Sequence, residues 1–203
     1  MIDIIQAAGW PIWPIILCSI IAIAIIGERF YSLRQSLVAP RDLLPSIVKE
    51  YRKGGVTSEM LTRVSQSSQL GKVLAAGLKN VKSSREITKE SIEEAGRAVS
   101  QELERFLTTL GTIATMSPLL GLLGTIIGMI EIFGASTPTG ITDPARLAHG
   151  ISIALYNAAF GIIVAVPALV FYRHFRARAD ALIVEMELQA VKLVEVIHGE
   201  RTV

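Results

Sequence analysis

The chain has 203 residues, 51% of them hydrophobic, with a mean hydropathy of +0.49 and a formal net charge of +2. Soluble domains seldom combine that hydropathy with so little charge, and a balance this near neutral gives no ground for a nucleic-acid partner. Cys18 is the only cysteine, which excludes an internal disulfide and a cysteine-based metal site, and His149, His174 and His198 are too far apart in sequence to read as a metal ligand set.

Residues 1–34 read as a short outer segment followed by a first membrane span, from about Pro14 to Tyr31. Residues 4–27 carry no charge at all. Trp10 and Trp13 fit an interfacial aromatic belt, and Pro11 and Pro14 break the entry turn. No Lys or Arg precedes Arg29 and no small-residue cleavage site follows, so this window predicts a retained helix rather than a removable leader.

Residues 35–83 predict a small cytoplasmic helical region. Pro40-Arg41-Asp42 opens a helix with Leu43, Leu44, Ile47, Val48 and Tyr51 on one side, and Gly54-Gly55 ends it. Further helices fit 58–64 and 70–81, the last with Val73, Leu74 and Leu78 as its apolar face. Residues 84–133 predict one helix, opened by a capping box at Ser83-Ser84-Arg85-Glu86. It begins in the cytoplasm and continues without a breaker through the uncharged stretch 106–130, the second span. At roughly 1.5 Å per residue it would be about 75 Å long.

Residues 134–146 form a short outer loop, and 147–203 hold the third span and a cytoplasmic helix reaching about His198. Between 147 and 172 the only Asp, Glu, Lys, Arg or His is His149. Each of the three windows exceeds about 20 residues, enough to cross about 30 Å of hydrocarbon. In the tail, Ile183, Met186, Ala190, Leu193 and Ile197 recur at helical spacing. That stripe suits either a coiled coil with other helices or packing on the chain's own second helix. Nearly all Lys and Arg lie after the first window or after the third, so the positive-inside rule puts the N-terminus outside and the C-terminus in the cytoplasm. The fold class is all-α, an integral membrane protein with three transmembrane helices, two of them extending far into the cytoplasm. Helices this long, with so small a loop region to cover them, call for a homo-oligomer.

The second and third spans carry small residues at helix-packing intervals: Ser117, Gly121, Gly124 and Gly128 in one, and Gly150, Ala154, Ala158 and Gly161 in the other. The first span, mostly Ile and Ala, reads as lipid-facing. Thr112, Thr115 and Thr125 add hydroxyls, each able either to bond its own helix backbone or to face a pathway. Asn157 is an amide in hydrocarbon that wants a partner, and Pro118 and Pro167 each free a backbone carbonyl. No Asp, Glu, Lys or Arg lies near the middle of any span. Glu131, about one turn from the outer end of the second span on the Gly124–Gly128 side, either reaches the interface or supplies polarity at an outer mouth. Ion pathways normally hold an intramembrane carboxylate, so a partner would have to bring it. There is no Gly-Lys-Ser/Thr phosphate loop, no nucleophile–base pair and no metal set, so neither an enzyme nor a cofactor is expected. A secondary transporter would need more spans or a repeat.

Several stretches together resemble the ExbB/TolQ/MotA proton-channel family. They are Glu93-Glu94-Ala95-Gly96-Arg97 through Glu102-Leu103-Glu104-Arg105-Phe106-Leu107; Leu110-Gly111-Thr112-Ile113-Ala114 with Ser117-Pro118-Leu119-Leu120-Gly121-Leu122-Leu123-Gly124-Thr125; and Gly150-Ile151-Ser152 with Ala154-Leu155 and Gly161 through Val166-Pro167-Ala168-Leu169. The likeness covers roughly residues 86–172 densely, and three spans fit ExbB or TolQ better than MotA. The resemblance implies a homopentameric ring in the bacterial inner membrane, lined by spans two and three. It also implies a pore holding two copies of an ExbD- or TolR-like single-span partner, whose aspartate carries the ion. Proton motive force would then energise a periplasm-spanning protein such as TonB or TolA. By match, Thr125 is the family's pore threonine, expected to hydrogen-bond the partner carboxylate. The implied pathway includes Thr125, Asn157, Ala158, Thr112, Thr115 and Pro118, with Gly121, Gly124, Gly128, Gly150, Ala154 and Gly161 packing the helices. Two positions depart from the pattern: Ala158 stands where many members have a second threonine, and Ile153 where some have a glutamate. A passive scaffold that assembles a single-span partner without ion flow is the alternative reading.

Overall fold

The computed structural model describes residues 8–134 and 144–199; the first seven residues, most of the expected outer loop and the last four lie outside the described residues. The described chain is helical, with no strand among the described residues. In chain order the elements are α1 Ile12–Ser32, α2 Gln35–Val38, α3 Leu43–Gly54, α4 Ser58–Ser67, α5 Gln69–Lys79, α6 Arg85–Leu103, α7 Leu107–Gly134 and α8 Pro144–Ile197. Three stretches are long and apolar enough to cross a membrane: Ile12–Ser32, the α7 portion of Arg85–Phe133, and the first half of Leu147–Ile197. Contacts divide the chain into two units, Met1–Glu28 with Phe106–His174, and Arg29–Arg105 with Phe175–Val203.

Unit one contains most of α1, all of α7 and the first part of α8. Only one side of α1 is lipid-facing: Ile15, Ala22 and Ile25 are buried within the unit while Leu17, Ile20 and Ile23 are exposed. Trp10 and Trp13 stand exposed at its start, where an aromatic belt needs them. Both α7 and α8 run unbroken through their prolines, Pro118 and Pro167.

Unit two is a helical cluster held by apolar side chains and explicit caps. Buried side chains in this unit include Leu70, Leu74 and Leu78 of α5, Met60 and Val64 of α4, Val99 and Leu103 of α6, and Leu182, Met186 and Leu193 of α8. Each fully buried Leu is worth roughly 1.5–3 kcal/mol. A β-carbon on Gly77 would lie 2.8 Å from the Ile92 side chain and 3.4 Å from that of Leu193, so α5, α6 and α8 meet at that glycine. The tail stripe is therefore covered by the chain's own helices, with Met186, Ala190 and Leu193 buried and Ile183 and Ile197 at its margin. Thr57, Ser68 and Ser84 cap α4, α5 and α6 by accepting from backbone N–H groups one turn on. The cap of α6 falls one residue later than the sequence implies, because the Ser83 N–H is already bonded to the Asn80 carbonyl in the preceding turn. Gly55 ends α3 with a φ of +73°, a conformation that glycine adopts without strain.

The expected single helix over 84–133 is two helices. α6 stops at Leu103, Phe106 takes a left-handed φ of +63°, and α7 restarts with the Leu110 N–H bonded to the Phe106 carbonyl. The cause is Arg29. Its buried guanidinium donates from Nη1 to the Leu103 carbonyl at 3.1 Å, the acceptor that a continuous helix would offer to residue 107. A cation at a helix C-terminus also complements the helix dipole.

Candidate functional site: the α7–α8 seam and its threonine face

Within unit one, α7 and α8 run antiparallel and meet along their small residues. A β-carbon built on Gly161 would lie 2.7 Å from the Ser117 carbonyl oxygen, one on Gly128 2.6 Å from the Gly150 carbonyl oxygen, and one on Gly121 2.9 Å from the Asn157 carbonyl oxygen. No side chain fits at these points, because the obstacle is backbone. Ala154 lies against Gly128, and Gly150 lies under Ile132. The structure thus brings Gly121, Gly128, Gly150, Ala154 and Gly161 into one line of backbone contact, with Gly124 on the same line against the Asn157 side chain. Without a hydrophobic drive between helices in lipid, such close approach supplies the van der Waals contact that holds them.

The polar residues divide between this seam and a second face. Thr115, Pro118, Leu122, Thr125 and Met129 recur at three- and four-residue spacing, each one position beyond the seam line, hence about 100° around the helix from it. Thr112 and Thr115 are exposed and Thr125 is half-buried. Each hydroxyl donates to its own helix: Thr112 to the Thr108 carbonyl at 2.9 Å, Thr115 to that of Thr112 at 2.9 Å, and Thr125 to that of Leu122 at 2.6 Å. Thr125 also borders an open depression of about 420 Å³ with Ile126, Met129, Ile130 and Phe133. Because the Thr125 proton is committed to its own backbone, what the side chain offers outward is an acceptor oxygen.

Asn157 is placed on the seam and away from the threonine face. It is fully buried, and its Nδ2 donates to the Ala8 carbonyl at 2.7 Å and to the Ile153 carbonyl at 2.8 Å. Ala158 is half-buried, with its Cα 3.3 Å from where a Gly121 β-carbon would stand. Ile153 is buried inside the unit. Glu131 is exposed, and Ile132 rather than Glu131 continues the Gly124–Gly128 line, because the seam steps by four residues there. Among the described residues no group of His, Cys, Asp and Glu could hold a metal ion.

Sequence reasoning missed the bond from Arg29 to the Leu103 carbonyl and that of Gln35, whose amide donates to both oxygens of Glu185 at 2.9 Å in unit two. Neither long-range pairing has a local sequence signal. Glu102, four residues short of the uncharged stretch, has its carboxyl held below the usual range by the Lys72 ammonium at 2.9 Å and by the Gln69 amide.

The comparisons with known proteins agree with this picture. A model of the MotA/TolQ/ExbB proton channel family matches residues 65–188. The chain is 28% identical over 190 residues to the biopolymer transport protein exbB1 of Vibrio cholerae, covering 90% of this chain and 82% of the relative. It is 29% identical over 200 residues to a putative ExbB-like biopolymer transport protein of Synechocystis, covering 96% and 95%. Over 98 residues it is 37% identical to the Tol-Pal system protein TolQ of Pseudomonas aeruginosa, covering 46% of this chain and 42% of that one. A matched region that takes in α5, α6, α7 and most of α8, the seam and the threonine face included, establishes that the chain belongs to the MotA/TolQ/ExbB proton channel family, whose members are not enzymes.

Proposed function

We propose that this chain is the ring subunit of an ion-driven motor in the bacterial inner membrane, with its N-terminus in the periplasm and its C-terminus in the cytoplasm. Five copies would surround two ExbD- or TolR-like single-span helices, and proton flow would energise a TonB- or TolA-like protein. The observation that carries this reading is the threonine face. In a proton-channel family, Thr115, Pro118 and Thr125 follow one another along α7, Thr115 and Pro118 exposed and Thr125 half-buried, with Thr112 exposed nearer the start of the helix. The spans hold no central carboxylate, so the partner supplies it.

The chemistry of Thr125 fits that division of labour. With its proton given to Leu122, it accepts from a protonated partner acid. When the acid ionises, the same hydroxyl turns from Leu122 to donate to the carboxylate. One hydroxyl thereby serves both protonation states. A charge crossing about 100 mV supplies about 2.3 kcal/mol. The ring reading is also supported by a second apolar stripe on α8, Val184, Leu188 and Val191, each more than half exposed, which a neighbouring copy would cover.

Asn157, buried behind the seam, takes no part in this pathway, and Ala158 adds no hydroxyl to it. With Ile153 apolar as well, those two positions favour the second reading, a passive scaffold. Thr125→Val separates the two. The native mass of the purified complex should stay at five copies plus two partners, while ion-driven work falls at least about tenfold, equivalent to about 1.4 kcal/mol; Thr125→Ser should keep most of it. Full activity in Thr125→Val would support the scaffold.

A further inference from the structure

The most polar residue deep in the third span does something other than face a pathway. Asn157 is fully buried, and so is Ala8, whose carbonyl it holds across 149 positions of sequence. Just after Ala8 the chain turns through Gly9, at a φ of +71°, and proceeds through the buried Pro11 and Ile12 into α1. Both amide protons of Asn157 are used, one on Ala8 and one on Ile153 a turn back on its own helix. The group required there is a donor, which an apolar residue or an ionised Asp could not supply. Beneath it lies Gly124: a β-carbon on that glycine would stand 2.3 Å from the Asn157 Cβ and 2.6 Å from its Cγ. Gly124 immediately precedes Thr125 in α7.

We infer that Asn157 is a positioning residue. It latches the segment ahead of α1 onto the third span and, by seating on Gly124, sets the rotation of α7 that presents Thr125. One joint then ties all three membrane helices at the level of the candidate pathway. The second half of this inference rests on the proposed role of Thr125; the latch itself does not. Residues 8–12 are by this account a working part of the subunit and not a loose leader to the first span.

The first test is hydrogen exchange of the full chain in detergent, comparing the parent with Asn157→Leu, which keeps the bulk and removes the donors. Amides of residues 9–13 should exchange about tenfold faster while peptides from unit two stay unchanged, the pattern of local opening. Equal protection of residues 9–13 in both proteins would overturn the latch, as would acceleration spread over the whole chain. The second test is compensation. Gly124→Ala should lower ion-driven work at least about fivefold in the parent, because its methyl meets the Asn157 Cβ and Cγ, and should lose that penalty in an Asn157→Gly background, which removes both atoms. An equal loss in both backgrounds would overturn the seating of Asn157 on Gly124. If Thr125→Val leaves ion-driven work intact, the proposed pathway falls, and the exchange result still decides the latch.

Discussion

In unit one, α7 and α8 touch through backbone, with glycines from Gly121 to Gly161 bringing carbonyl oxygens to within reach of the facing helix. In unit two, helices touch through Leu, Val, Met and Ile side chains, and their ends are closed by Thr57, Ser68, Ser84 and Arg29. The polar contacts differ in the same sense. Unit two carries ion pairs such as Lys72–Glu102 and Arg176–Glu104, at 2.9 Å and 2.8 Å, all of them part-exposed. Unit one carries hydroxyl and amide bonds to backbone, such as Thr125 to Leu122 and Asn157 to Ala8. The difference follows from the solvent. Water drives apolar side chains together and screens surface charge. Lipid does neither, so helices there associate by shape and by a few bonds from side chain to backbone.

The comparison can be broken at either end. The largest effect is expected from Gly128→Leu, since even the first carbon of the new side chain would lie 2.6 Å from a backbone oxygen that cannot move aside. α7 and α8 should separate, at a cost above about 3 kcal/mol, seen as loss of a single thermal transition in detergent. Melting with the parent would show that unit one is not packed through its backbone. Next is Leu74→Ala, which removes a fully buried side chain from the middle of α5. It should cost about 2–5 kcal/mol, measured by denaturant unfolding. A loss near zero would mean that unit two does not depend on side-chain burial. The smallest effect concerns Glu102. Its carboxyl titrates lower when folded than unfolded, so its contribution is present above the unfolded carboxylate range and is lost as pH falls through the lowered folded value. Acid should therefore loosen the α5–α6 contact by a small amount that Glu102→Gln abolishes, read from the pH dependence of unfolding; an unchanged profile in that variant would remove Glu102 from the account.

Much of the molecule was legible from residues alone. The three apolar windows, a helix closed by Gly54-Gly55, and helices expected over 58–64 and 70–81 and found at 58–67 and 69–79 follow from periodicity, length and composition, which are local properties. The threonine face was only partly legible. Thr112, Thr115 and Thr125 could be singled out by type, but a helix apolar on every side gives no clue to which face meets its neighbour.

Three features were decided by tertiary structure. The break at Phe106 has no glycine or proline behind it; it exists because a guanidinium 74 residues earlier takes the Leu103 carbonyl. Glu131 and Ile132 differ by one position, about 100° of rotation, and only the fit of Ile132 over Gly150 settles which of them faces α8. Asn157 announced itself by composition as a polar residue wanting a partner, yet whether it turned to a pore or into its own subunit depended on where the Ala8 carbonyl came to rest. Sequence determined what must be buried in lipid, because transfer free energy is a sum over local residues. Azimuth and partner are properties of pairs distant along the chain, and those only the packed structure could decide.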